Sequence, residues 1–102
     1  MQVYKRMSAT KFIVEFIGTF IFLSVILSTG EAFPIGLALA TVIFFGGKIS
    51  GGNYNPAVST MMFLKHKLST GEYVGYVVAQ ILGGVAAYFF NQHTGSKIAA
   101  SS

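Results

Sequence analysis

An apolar run of only eight residues, Ala57 to Leu64, lies between much longer ones and is reached through Ser50-Gly51-Gly52-Asn53-Tyr54-Asn55-Pro56. Asn is a preferred helix N-cap, and Pro suits the first helical position because its missing N–H would be unpaired there anyway. The run stops at Lys65-His66-Lys67. At about 1.5 Å per residue such a helix reaches roughly 13–15 Å, about half of a bilayer's hydrocarbon core. Irregular backbone is tolerated at membrane depth only where protein buries it or water lines it. A capped half-length helix flanked by full-length spans is therefore predicted to be re-entrant, occupying residues 48–64 with its lead-in loop, and it points to a pore. Taken by itself, Asn55-Pro56-Ala57 also fits a plain capped helix in a Gly-rich loop.

The flanking runs are long enough to cross. Residues 12–30, 34–47 and 73–90 are predicted as three membrane spans, with 1–11 as a polar cytoplasmic leader and 91–102 as a loose tail. Only 10% of the chain is charged and 53% is hydrophobic, whereas soluble domains carry about a quarter charged residues. A secretory signal fits the basic start and Ser28-Thr29-Gly30 loosely, but Glu15 within the apolar run and the run's length oppose it. Pro34 suits a first helical turn, and Gly36 with Ala40 gives the second span a narrow face. Gly71, Gly75, Ala79, Gly83 and Ala87 form one small-residue row at successive i+4 steps, suited to close helix packing. Tyr73, Tyr76, Tyr88, Phe89 and Phe90 suit the membrane interfaces. Gln80, near mid-span, needs a partner. So does Glu15, since an ionisable group inside a span costs at least ~2.5 kcal/mol.

Lys5, Arg6, Lys11, Lys48, Lys65 and Lys67 fall on one side of this three-span arrangement and only Lys97 on the other. That bias places the N-terminus inside and the C-terminus outside. The basic residues end apolar runs and form no stripe with interleaved aromatics, which argues against nucleic acid as a partner. Three scattered Glu, no Asp and no Cys leave no catalytic constellation, no thiolate metal site and no cofactor motif. His66 and His93 are expected at surfaces without partners at ligand spacing. The chain is read as a non-enzyme.

The string Ser50-Gly51-Gly52-Asn53-Tyr54-Asn55-Pro56-Ala57-Val58-Ser59 closely resembles the first signature loop, SGxHxNPAVT, of the aquaporin and glycerol-facilitator family. EFIGTF at 15–20, GLALAT at 36–41 and GYVVAQILGGVAA at 75–87 resemble that family's first three membrane segments, in order, from about Lys11 to Phe90. The bacterial water channels are the most similar branch. The resemblance implies an all-α half of an inverted repeat: three transmembrane helices and one re-entrant half-helix.

It further implies that Glu15 braces the loop backbone, and that carbonyls of Gly52, Asn53 and Tyr54 line the pore. Asn55, Pro56 and Ala57 would stand at the pore's midpoint, with Ile35 at a filter position where an aromatic is common. Asn53 stands where His is usual. Val58 follows the motif where the family's second-half loop carries Arg. The implied function is passive transport of water or small neutral solutes such as glycerol, in the lipid bilayer. The pore would be completed by a second half of opposite orientation, a separate partner being favoured over an antiparallel homodimer, and a tetramer-type assembly is possible. The Gly71–Ala87 row and Gln80 would then await that missing neighbour. The alternative is a non-conducting remnant or assembly partner of a channel.

Overall fold

The computed structural model describes residues 2–93, with side chains over 9–92. Four helices follow one another: α1 (Gln2–Thr29), α2 (Ala32–Ser50), α3 (Pro56–Leu64) and α4 (Thr70–His93). Ala9–Thr29, Ala32–Ser50 and Thr70–Gln92 are each long and apolar enough to cross a membrane, and α3 is not. The fold is thus all-helical, with three spans and one short helix, as the hydropathy pattern predicts.

Helix ends differ from hydropathy ends. Residues 2–11, separated by composition as a polar leader, belong to α1. α2 starts at Ala32, two residues before the predicted span, and holds Lys48 in its last turn. α4 starts at Thr70 and runs through Asn91 to His93. The rest of the tail, with Lys97, lies outside the described residues.

α1 is the central helix, packed against both α4 and α2, while α3 rests on α4 alone. Small residues set the α1–α4 distance. A methyl added at Gly75 would overlap the Phe12 ring, and one at Gly83 would lie 2.8 Å from the Phe16 carbonyl and 3.1 Å from Thr19 Cβ. Ala79 and Ala87 on the same row are buried. Gly71 has open space around it. So Gly75 and Gly83 of the row meet α1, a neighbour inside the chain.

The interior is unusual for its polarity. Among the described residues, six polar side chains are buried (Glu15, Thr19, Ser50, Asn53, Ser59 and Gln80) against five apolar or aromatic ones. Meanwhile Ile13, Phe33, Phe44, Phe45 and Leu64 are exposed. Lipid solvates apolar side chains, so packing and internal hydrogen bonds hold such helices together, and backbone without a helical partner must be satisfied from within.

Candidate functional site

The lead-in to α3 is shaped by two glycines. Gly51 (φ 93°) caps α2 in the left-handed region, its N–H donating to the Gly47 carbonyl at 2.8 Å. Gly52 (φ 66°) continues the turn, and a Cβ there would come within 3.4 Å of the Ile43 backbone. Only Gly meets both conditions without strain. The chain then doubles back towards α1. Asn55 returns to an extended conformation (φ −161°), and its side-chain oxygen accepts the Ala57 N–H at 2.8 Å. Asn55 is therefore the N-cap of α3, with Pro56 at the first helical position.

Glu15 is fully buried and meets this loop from α1. Its carboxyl oxygens accept four hydrogen bonds: from Ser50 Oγ at 2.7 Å, Asn53 N at 3.1 Å, Tyr54 N at 2.7 Å and Gln80 Nε2 at 2.9 Å. Four donors offset the cost of taking this group out of water, and they exhaust the usual two acceptor positions on each oxygen. A second node lies at Ser59 on α3, whose Oγ accepts from Asn53 Nδ2 (3.0 Å) and Gln80 Nε2 (2.7 Å). Tyr76 Oη donates to the Ser50 carbonyl at 2.5 Å, and Tyr54 Oη to the Val42 carbonyl at 2.6 Å. All four helices contribute to this network around the loop.

The residues singled out from the sequence are distributed unevenly. Glu15, Asn53 and Tyr54 converge, with Asn53 and Tyr54 buried and Gly52 half-buried. The Asn53 side chain faces inward onto Ser59, at the position where the signature usually has His. Asn55, Pro56 and Ala57 are exposed and Val58 is half-buried. The Asn55 amide nitrogen and the carbonyls of Gly52, Asn53 and Tyr54 bond to none of the described residues. Ile35 is not brought to the loop. It sits half-buried in the first turn of α2, about 22 Å along the axis from Ser50.

Sequence reasoning missed Ser50, Ser59 and Tyr76. Tyr76, read as an interface aromatic, is 1% exposed and packs edge-on to Phe12. Gln80, expected to need a partner, bonds side chain to side chain with Glu15 and Ser59. The available signal was polarity alone: Ser59 and Gln80 are polar residues in apolar helices and had to bond to something. His66 ends α3 at an exposed corner, the His93 side chain lies outside those described, and no metal-binding cluster occurs among the described residues. Two apolar grooves share Ile17, one between α1 and α4 and the other between α1 and α2, where Tyr54 joins the lining.

Three apolar spans beside a braced, Asn-capped half-length helix define an integral membrane protein. Residues 29–100 match the family described as Major intrinsic protein, and the chain belongs to that family. It is 40% identical over 87 residues to the Glycerol uptake facilitator protein-like 6 of Lactiplantibacillus plantarum, covering 76% of this chain and 40% of that protein. It is 41% identical over 58 residues to Aquaporin Z of Brucella melitensis, covering 57% of this chain and 25% of that protein. The Lens fiber major intrinsic protein of Gallus gallus is 42% identical over 57 residues, covering 56% and 22% respectively. The matched part thus spans 40% or less of each of these relatives.

Proposed function

We propose that the chain forms half of a passive channel for water or small neutral solutes such as glycerol, and that a second half of opposite orientation completes the pore. The observation that carries this reading is the division of hydrogen bonding in the loop. The N–H groups of Asn53 and Tyr54 bond inward to Glu15, while the carbonyls of Gly52, Asn53 and Tyr54 and the Asn55 amide nitrogen stay available. Asn55 uses its oxygen on its own helix cap, which leaves its NH2 to donate to a passing molecule. The free carbonyls supply acceptors in succession.

The start of α3 carries a partial positive charge of about half a unit, which disfavours cations and protons at that point. Val58 supplies no charge after the motif, so the family's Arg would come from the second half. The family is a channel family with no enzymatic chemistry implied, and nothing in the loop resembles a nucleophile with its base. The N-terminus is assigned to the cytoplasm, because Lys11, Lys48, Lys65 and Lys67 all lie at one end of the spans.

Osmotic shrinkage of proteoliposomes tests the reading. The chain alone should shrink vesicles no faster than lipid. Co-reconstitution with a complementary second half taken from the Lactiplantibacillus relative should accelerate shrinkage. Failure in both arms would favour the non-conducting alternative, and fast flux from the pure chain would favour an antiparallel homodimer.

A further inference from the structure

Glu15 ties the loop to α1, and Gln80 and Tyr76 of α4 hold the residues around it, Glu15, Ser59 and Ser50. α2 does not pack along α3 or α4, and among the described residues it bonds to α4 where Ser50, its last residue, accepts from Tyr76. Besides the continuous chain, the Gly52 N–H bond to Ser50 Oγ at 3.2 Å and the close pass of Gly52 over Ile43, the loop is held to α2 by the Tyr54 side chain. That side chain is 2% exposed. A methyl at Gly18 of α1 would overlap the Tyr54 ring, and a methyl at Gly46 of α2 would overlap its hydroxyl. Those two glycines form a slot that admits the phenol between α1 and α2. The hydroxyl then reaches the Val42 carbonyl at 2.6 Å, one turn before Gly46. Tyr54 also holds φ at 54°, a left-handed conformation that disfavours a side chain. Such conformations persist only where the surroundings over-determine them.

We propose that Tyr54 is a positioning residue: its hydroxyl latches the loop to α2, so that the setting of the Asn55 cap depends on α2 as well as on Glu15. The latch itself does not depend on conduction. Its consequence for the bore, through the spacing between Asn55 and the wall provided by α2, rests on the channel reading above. The two glycines also make distinct predictions. Removing the hydroxyl frees room at Gly46, where the remaining neighbour within 3 Å is the mobile end of Val14, but none at Gly18, which faces ring carbons.

Amide hydrogen exchange on the full chain in phosphatidylcholine vesicles reads this without any need for flux, so it can fail independently of the channel assignment. Tyr54→Phe keeps the ring and loses one hydrogen bond. It should speed exchange at the amides of Asn53, residue 54 and Ala57 by about five- to tenfold, with the amides of α1 and α4 unchanged. Gly46→Ala should loosen the same amides, and adding Tyr54→Phe should remove most of that extra effect. Gly18→Ala should show no such relief. Unchanged loop exchange in Tyr54→Phe, or equal acceleration in all helices, would overturn the latch. So would a Gly46→Ala defect that persists undiminished in the double variant.

Discussion

Glu15 gathers its four donors from three separate parts of the chain: Ser50 at the end of α2, the Asn53 and Tyr54 amides in the loop, and Gln80 on α4. Glu15→Gln keeps the shape but turns one acceptor oxygen into an NH2 that faces two donors. Buried donors left without acceptors cost about 1–3 kcal/mol each. We expect Glu15→Gln to destabilise the protein by about 2–4 kcal/mol, measured by reversible SDS unfolding. Lys11 and Glu72 form an ion pair of 3.0 Å with 29% and 22% of their side chains exposed. Lys11→Met should therefore cost less than about 1 kcal/mol in the same assay, since solvent screens such pairs. If the two variants were equally mild, Glu15 would not organise the loop.

At the scale of elements, both ends of α3 are set by local chemistry, and only one was legible. Asn55-Pro56 announces its start. Its finish is a Schellman turn: Lys67 N–H donates to the Met62 carbonyl at 2.9 Å and His66 N–H to that of Phe63 at 3.0 Å. His66 takes the left-handed position at φ 62°, where Gly is the usual residue. Nothing in Lys65-His66-Lys67 signals this beyond the charge that ends the apolar run. His66→Gly should accordingly raise stability by about 0.5–1 kcal/mol in the same unfolding assay. A loss would show that His66 makes a contact that its exposure conceals.

The start of α4 shows the same limit. Ser69 and Glu72 form a reciprocal capping box, with bonds of 3.1 and 2.9 Å, yet hydropathy puts the span's start at Tyr73. Hydropathy reports contact with lipid, whereas helix ends are fixed by backbone partners. The same difference hid residues 2–11 within α1. Glu15 and Gln80 could be read as needing partners because each is polar within a span. Which atoms would answer them depends on how α1, α4 and the loop register in space. No periodicity carries that information, so Ser50, Ser59 and Tyr76 escaped notice.

Taken whole, the molecule turns apolar side chains outward and keeps a hydrogen-bonded knot within, and it leaves Asn55-Pro56-Ala57 uncovered. A half-helix start at membrane depth needs a facing surface, and in inverted repeats two such starts meet near the midplane. A second copy of this chain could provide one only by inserting upside down. Charge opposes that. Lys11 begins the apolar part of α1, Lys48 ends α2, and Lys65 with Lys67 ends α3, so all four lie at one end of the bundle. Lys5 and Arg6 precede them in sequence, and Lys97 alone follows the last span. Short flanks rich in Lys and Arg remain on the cytoplasmic side, and a six-to-one excess leaves little freedom of orientation. Paired reporters fused after Ser102, one active only in the cytoplasm and one only outside it, should therefore give a signal from the outside reporter alone. Moving Lys48, Lys65 and Lys67 to Gln together should weaken that preference, because the bias then falls to three against one. Equal signals from both reporters in the unaltered chain would instead establish dual insertion and make an antiparallel pair of these chains the complete pore.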